Sequence, residues 1–268
     1  MNGKLRSIAE RLSRNVVLRR RLPSSLGGTT VFVSPDARLR YWHPRLTAVE
    51  PELIRAVTLL VARGDTVWDI GANVGIFTFT AAFLAGQSGR VLAFEPDVSL
   101  RRLLDRSVAL NVRRQHAAIS VCSAAAGAED GLGVFQIAAR SRASNSLAGF
   151  GRSQSGGVRD TVYVPVLTLD SILKSQGAPN VVKIDVEGAE CEVLRGANNL
   201  LRDARPLIYC EIGEEYRAEV HRIFQRSDYE LFRVNDSGDG LAGVEQPAFD
   251  TFAIPAERTK DLRARHRR

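Results

Sequence analysis

The stretch "DIGANVG", residues 69–75, follows the apolar run Thr66-Val67-Trp68 and decides the fold. An acid and two glycines stand where a strand gives way to a helix. Glycine lets a backbone turn tightly and approach a ligand closely, and the first turn of a helix offers free N–H groups. In open α/β sheets, ligands bind where the first strand's loop feeds a helix. The stretch therefore predicts a ligand site over this turn.

Strand-like and helix-like segments alternate from Glu50 onward. Apolar runs predict strands at 66–70, 90–95, 118–123, 132–137, 161–166, 180–185, 206–212, 228–234 and 250–254. Amphipathic segments predict a helix opened by Pro51 and ended by Gly64-Asp65, and further helices at 74–86, 97–111, 169–175, 189–201 and 214–226. This alternation is typical of an α/β fold, with a doubly wound, mostly parallel sheet and helices on both faces.

The chain shows no composition break or internal repeat inside this region. We therefore predict one α/β domain at residues 50–255, preceded by a basic extension at 1–49 and followed by a basic tail at 256–268. Two β-prone runs around Ser34-Pro35-Asp36 predict a small hairpin in the extension. The polar stretch 140–160 is rich in Ser and Gly, which favours a flexible loop.

Charge and composition limit the location and the partners. The net charge of +7 is uneven: residues 1–26 carry +6 and residues 256–268 carry +4, so the chain between them carries −3. This pattern favours weak adhesion of the tails to something acidic, such as the inner membrane leaflet or RNA, or else solvated tails with no specific partner. Without a long apolar run or a secretory signal, we expect a cytoplasmic protein, peripheral at the inner membrane face if the tails adhere.

The three cysteines give no sign of a metal or a redox site. Cys122, Cys191 and Cys210 form no CxxC pair, and each lies in an apolar-looking segment. We expect buried, reduced thiols and no zinc.

The spacing of the first turn discriminates between nucleoside cofactors. The segment lacks GxGxxG, and Asp69 at the strand end would attract an amine or a cation and repel a phosphate. This favours S-adenosylmethionine over NAD. Glu95, at the end of the next strand, is placed to accept ribose hydroxyls, although a carboxylate before a helix capped by Asp97 can also have a purely structural role. Small residues in "CSAAAG", 122–127, leave room for a flat adenine.

A second unusual segment, "VVKIDVEGAECEVLRGANNLL", spans residues 181–201. Lys183, Asp185 and Glu187 alternate through the strand end, so extended backbone would point their side chains in one direction. A carboxylate here can take the proton of an acceptor hydroxyl, with Lys183 orienting the acceptor or tuning the acid. Glu211, at the end of "PLIYCEI", supplies another carboxylate.

These charged residues have two alternative roles. The acids can complement the positive end of the following helix, with Lys183 as their ion-pair partner. The same acids can also hold a divalent metal, but with no histidine in these segments we expect no metal site.

Seven motifs match one known family. They are "GDTVWDIGANVGIFTFTAA", "VLAFEPD", "AAAGAEDG", "NSL" at 145–147, "VPVLTLDSIL", "VVKIDVEGAECEVLRGA" and "RPLIYCEI". On these motifs, residues 50–254 resemble the FkbM-type S-adenosylmethionine-dependent methyltransferases. The resemblance implies a Rossmann-like class I methyltransferase fold whose seven-stranded sheet is parallel except for one strand near the end. It also implies methyl transfer to a hydroxyl of a sugar, polyketide or similar natural product.

The resemblance assigns roles to particular residues. It implies that the methionine part of the cofactor faces Asp69, Gly71, Asn73 and Gly75, the ribose faces Glu95, and the adenine faces Ala124. It also implies that Lys183, Asp185 and Glu187 lie at the acceptor side. From its place at the end of the neighbouring strand, Glu211 is a further candidate carboxylate there. We therefore predict O-methylation of a glycan or small-molecule acceptor, with residues 140–160 either a lid over the acceptor or a disordered surface insertion.

Three other functions compete with this prediction. An NAD-dependent oxidoreductase is disfavoured by the missing GxGxxG. An RNA methyltransferase anchored by its basic tails is disfavoured by the acidic middle of the chain, so no specific nucleic-acid partner is expected. A non-catalytic binding module would not need to keep Asp69 and Glu95.

Overall fold

The computed structural model describes residues 10, 12–112, 114–151 and 156–260. The strands are β1 (Leu18–Arg21), β2 (Thr30–Val33), β3 (Thr66–Ile70), β4 (Arg90–Phe94), β5 (Ala118–Cys122), β6 (Ala125–Ala126), β7 (Gly131–Ala138), β8 (Ser146–Leu147), β9 (Val158–Leu167), β10 (Val181–Ile184), β11 (Leu207–Glu211), β12 (Tyr229–Val234), β13 (Leu241–Gly243) and β14 (Asp250–Pro255). The helices are α1 (Leu46–Val49), α2 (Pro51–Leu60), α3 (Ile76–Ala85), α4 (Val98–Asn111), α5 (Leu169–Gln176), α6 (Glu190–Arg195) and α7 (Arg217–Arg226). Parts of the predicted basic termini, residues 1–9 and 261–268, and part of the predicted loop, residues 152–155, lie outside this description.

The main sheet has eight strands in the order β13-β12-β14-β11-β10-β3-β4-β5. The five strands from β11 to β5 run parallel, and β14 lies antiparallel between β11 and β12. The chain moves outward from β3 to β5 and then returns to β10 on the other side of β3, which creates the switch point where such sheets bind ligands. The predicted doubly wound α/β sheet is confirmed. The short edge strand β13 is an eighth strand that the sequence did not predict.

Helices cover both faces of the sheet. One face buries Trp68, Phe94 and Ile184 beneath α5, α6 and α7, and the other buries Val67 and Val91 beneath α2 and α3, with α4 packed alongside α3. Neighbouring residues of β3 are thus buried on opposite sides, which explains its unbroken apolar run. Within the described ranges, no helix combines the length and the apolarity needed to cross a membrane.

The N-terminal hairpin differs from the predicted one. The structure pairs β1 with β2, whereas the run after Ser34-Pro35-Asp36 forms a 3-10 helix at Leu39–Trp42. The predicted hairpin around that turn is wrong because Tyr41 packs inward and its hydroxyl donates to Glu50 Oε1 at 3.0 Å. Residues between 22 and 49 share one hydrophobic cluster with α3 and α4, and the predicted boundary at residue 50 stays a prediction.

A smaller sheet of order β6-β9-β7-β8 stands beside the main one and contains both strands predicted at 132–137 and 161–166. The helix predicted at 189–201 is shorter: α6 ends at Arg195, and a π-helical turn follows at Leu200–Ala204. Gly196 lies at this break, and a Cβ there would lie 2.2 Å from the Gly127 carbonyl oxygen. The backbone at the end of α6 therefore packs closely against the neighbouring loop.

Candidate active site

The turn after β3 is fixed by contacts on two sides. Gly71 has φ +79°, and a Cβ there would lie 1.9 Å from the Asp185 carbonyl oxygen. The Gly71 and Ala72 N–H groups both donate to the carbonyl of Phe94, at 3.1 and 2.8 Å. The turn is therefore wedged between the ends of β10 and β4. Gly75, at φ +86°, then starts α3.

A buried ion pair supports this turn from below. Lys183 and Asp69 are neighbours across β10 and β3, and their charged atoms lie 3.1 Å apart. The ammonium also donates to the Gly71 carbonyl at 2.5 Å, and the other Asp69 oxygen accepts from Thr78 of α3 at 2.5 Å. Burial would lower the pKa of Lys183, but the carboxylates of Asp69 and Asp185 outweigh it and raise that pKa. Lys183 stays charged and braces the turn.

Glu95 is held in place by the backbone. Its Oε2 accepts from the Asn73 N–H at 2.7 Å and its Oε1 from the Asp97 N–H at 2.8 Å. Each carboxylate oxygen has a further lone pair for a ligand hydroxyl. Burial raises the pKa of Glu95 to about 8, although these backbone N–H groups lower it in part. The side chain can therefore change charge when a ligand binds near neutral pH.

These elements enclose a cavity that we name the cofactor pocket. Its empty volume, including the part that is open to solvent, is about 570 Å³. The floor consists of Ile70, Gly71, Asn73 and Glu95, the far wall of Ala124, Ala125 and Ala126, and the near wall of Asp185, Val186 and Glu187. A roof is formed by Phe135, Arg142, Ala143, Asn145 and Leu147, all from the small sheet and its connections. Glu95 and the small alanine wall fit a nucleoside with a ribose diol.

A charged network ties the roof to the rest of the protein. Asp97 caps α4 by accepting from the Ser99 N–H, and its other oxygen accepts from Arg142 at 2.5 Å and from Asn145 at 2.7 Å. Arg142 also donates to Asp36 of the N-terminal segment at 2.7 Å. Arg142 and Asn145, within the predicted loop 140–160, are therefore anchored over the cofactor pocket, and the role of the loop as a lid stays a prediction.

A second and larger cleft adjoins the cofactor pocket. Its empty volume, again including the part that is open to solvent, is about 1700 Å³. Ala143 and Glu187 line both cavities. The N-terminal segment contributes Arg38, Leu39, Arg40, Val49 and Glu50 to the cleft, and Arg140, Glu211, Phe249 and Asp250 line other parts of it. We name this second cavity the acceptor cleft.

Two carboxyl groups of the acceptor cleft have raised pKa values. Burial, followed by repulsion from Asp185 and Asp250, raises the pKa of Glu211 well above its usual value. Burial also raises the pKa of Asp250, which accepts from the Tyr209 hydroxyl at 2.5 Å. Glu187 has φ +53°, in the left-handed region that non-glycine residues rarely adopt. Strained backbone and raised carboxylate pKa values both favour a functional site.

The structure gathers most of the predicted residues around the two cavities. Gly71, Asn73, Glu95 and Ala124 line the cofactor pocket with Asp185 and Glu187, and Glu211 lines the acceptor cleft. Asp69, Gly75 and Lys183 are not among the lining residues. Asp69 and Lys183 are buried beneath the turn, and Gly75 packs against Leu104 and Phe79.

The sequence prediction missed the roof residues and the N-terminal wall. Arg142 and Asn145 lie in the segment predicted as a loop; "NSL" at 145–147 was the only signal for Asn145, and no motif indicated Arg142. Arg38 and Glu50 form an ion pair at the cleft, but nothing near either residue in the sequence indicates it. Among the described residues, no cluster of three or more His, Cys, Asp or Glu side chains has an arrangement that could hold a metal ion.

The fold is that of the Rossmann-like S-adenosylmethionine-dependent methyltransferases. The model of the methyltransferase FkbM domain matches residues 69–231, more than half of the chain, so the chain belongs to the FkbM methyltransferase family. S-adenosylmethionine is its cofactor. The predicted family, fold and cofactor are thereby confirmed.

The individual relatives share less than 30% sequence identity with this chain. The hexuronic acid methyltransferase AglP of Haloferax volcanii is 27% identical over 170 residues, which cover 62% of this chain and 64% of that protein. The FkbM methyltransferase structure from Methylobacillus flagellatus KT matches with a TM-score of 0.46 and 17% identity, over 71% of this chain and 43% of that one. An O-methyltransferase structure from Thermotoga maritima matches with a TM-score of 0.41 and 14% identity, over 77% and 65%. The chain thus spans less than two thirds of the length of each of these relatives.

Proposed function

We propose that the protein methylates a hydroxyl oxygen of an acidic sugar bound in the acceptor cleft. The observation that carries this proposal is the junction of the two cavities, where Glu187 and Ala143 line both. A methyl group held in one cavity can reach an oxygen held in the other only through such a junction. The name of the relative AglP, a hexuronic acid methyltransferase, supports an acidic sugar as the acceptor.

One part of the cleft, where arginines stand among its carboxylates, offers groups that can bind a charged sugar. Phe249 is 42% exposed there and offers an aromatic face on which the apolar side of a sugar ring can pack. Arg38, Arg40 and Arg140 also line the cleft, and guanidinium groups bind carboxylates in a planar, two-pronged geometry. We infer that one or more of these arginines binds the sugar carboxylate, which would account for the N-terminal segment at the cleft.

The catalytic roles follow from position and charge. Bound S-adenosylmethionine supplies a methyl group that its sulfonium already activates. Glu187, at the junction, is our candidate for accepting the proton of the acceptor hydroxyl. Burial raises the pKa of Glu211 well above its usual value, so this carboxyl would donate a hydrogen bond to the acceptor whenever it is protonated. Asp185 lines the cofactor pocket and is the carboxylate available to the ammonium of the methionine part, while Lys183 braces the turn beneath.

Labelled methyl transfer to matched sugars tests the acceptor. A glucuronide should accept the label with a kcat/KM about 10- to 100-fold above that of the corresponding glucoside, because a hydrogen bond to a charged group contributes about 1.5 to 3 kcal/mol. Equal rates with both sugars would contradict an acidic acceptor. Labelling of neither sugar, in a preparation that binds S-adenosylhomocysteine, would remove the sugar proposal.

Substitution of Glu187 tests the proton acceptor. E187Q should lower kcat by about 10² to 10⁴-fold and leave S-adenosylhomocysteine affinity nearly unchanged, since general-base catalysis contributes that much. E52Q is a matched control, because Glu52 lines the same cleft with a half-exposed side chain. If E187Q turns over at the normal rate while D185N or E211Q does not, the base is one of those acids instead.

A further inference from the structure

Two arginines lie over a single phenyl ring on the outer side of the N-terminal hairpin. The guanidinium carbon of Arg106, from α4, is 4.1 Å from the centroid of the Phe32 ring, and that of Arg19, from β1, is 5.2 Å away. Each contact with the ring face is favourable, but the two positive charges repel each other. Both arginines are exposed, so an anion outside the protein can approach them.

The two segments that carry these arginines contain no acidic residue. Residues 18–33 and 106–116 contain six arginines and no aspartate or glutamate. Asp105, the one acid of α4, is paired with Arg101 at 2.9 Å. Among the described residues, Arg19 and Arg106 therefore form no ion pair with an acid.

The same surface continues to two further arginines. Arg21 donates to the carbonyl of Gly28 at 2.8 Å, and Arg114 donates to the carbonyl of Gly27 at 2.7 Å, so both cations border one loop. The hairpin and α4 are fastened together, since the Phe32 N–H donates to Ser107 Oγ at 2.8 Å. We name Arg19, Arg21, Arg106 and Arg114 the basic patch.

Apolar side chains flank the basic patch. Val112 is 74% exposed between Arg106 and Arg114, and Leu110 is 46% exposed one helical turn after Arg106. Val17, two residues before Arg19, is 40% exposed. Exposed apolar groups close to exposed arginines make a surface that is both cationic and apolar.

We propose that the basic patch and these flanking apolar residues dock the protein on a bilayer that contains anionic lipids. Arginines at such a surface gain from lipid phosphates, and apolar side chains gain by entering the boundary between head groups and acyl chains. A nucleic acid would satisfy the arginines but would leave Val112 and Leu110 in water. This proposal does not depend on which acceptor the enzyme methylates.

Co-sedimentation of the full chain with vesicles tests the docking. Binding to phosphatidylcholine vesicles should appear only when phosphatidylglycerol is added, and it should weaken as salt rises. R19Q/R106Q should weaken binding about 30-fold, at about a factor of five per arginine. R222Q/R226Q is the matched control, because Arg222 and Arg226 are exposed on α7 at the opposite face of the sheet, and its binding should be unchanged.

A second pair of variants keeps the test valid if the arginine pair is needed for folding. L110N/V112N leaves every charge in place and should weaken vesicle binding about tenfold, with a melting temperature close to that of the wild type. Equal sedimentation with and without phosphatidylglycerol, or equal losses in the two arginine pairs, would overturn the proposal. So would RNA binding that falls in R19Q/R106Q while no vesicle binding is detected.

Discussion

The buried Lys183 offers a sharp test of how the site is held together. Its ammonium lies 3.1 Å from Asp69 Oδ1, and at an effective dielectric constant of about 20 this attraction is about 5 kcal/mol. Desolvation of both ions opposes it, so the net value of the pair is small. K183M, however, leaves the Asp69 carboxylate buried without its cation, and that should lower the free energy of unfolding by about 3 to 5 kcal/mol.

Urea unfolding measures this loss, and a double-mutant cycle assigns it. K183M/D69N should recover at least half of the lost stability, because the uncompensated charge is gone. K174M is a matched control at an exposed position of α5 and should change the free energy of unfolding by less than about 0.5 kcal/mol. K183M should also weaken S-adenosylhomocysteine binding, since the Gly71 turn loses its support.

The alternative role, in which Lys183 orients the acceptor, predicts the opposite pattern. K183M would then keep its stability and its cofactor affinity and would raise only the KM of the acceptor. A loss of less than about 1 kcal/mol in unfolding, with that kinetic pattern, would refute the bracing role.

Two further predictions concern the cofactor pocket. Because burial raises the pKa of Glu95 to about 8, adenosine binding at pH 7 should release protons from this carboxyl, and E95Q should abolish the release measured by calorimetry in two buffers. For the same reason, the free energy of unfolding of the ligand-free protein should fall as the pH rises from about 4.5 to about 8. G71A should abolish S-adenosylhomocysteine binding and destabilise the protein more than G149A, because both positions have positive φ but only Gly71 is crowded; similar losses in the two variants would contradict the crowding argument.

Much of the fold could be predicted because its signals are local. The apolar run before Asp69 and the glycines after it mark a strand, a turn and a helix start, and the structure has β3, the Gly71 turn and α3 there. Glu95 was placed at the ligand edge of the sheet because parallel strands end at the same edge. Both inferences need only a short stretch of chain and the rules of sheet topology.

Other parts of the site depend on contacts between distant segments. Arg142 covers the cofactor pocket because Asp36 and Asp97, each dozens of residues away, bind it. The alternation of side chains along the strand correctly predicted that Lys183 and Asp185 lie close together. It could not show that the Lys183 side chain lies beneath the Gly71 turn, because both faces of a central strand are buried. The pairing of strands in the N-terminal hairpin also depends on packing. Tyr41 is buried in a 3-10 helix, so its segment does not form the second strand that the sequence predicted.

Diffraction from crystals grown with S-adenosylhomocysteine tests the central claim most directly. We predict electron density for the adenosine across the tip of β3, with its ribose hydroxyls on Glu95 and its sulfur directed at the junction of Glu187 and Ala143. Density for the nucleoside outside this pocket, or a sulfur directed away from the acceptor cleft, would contradict the account.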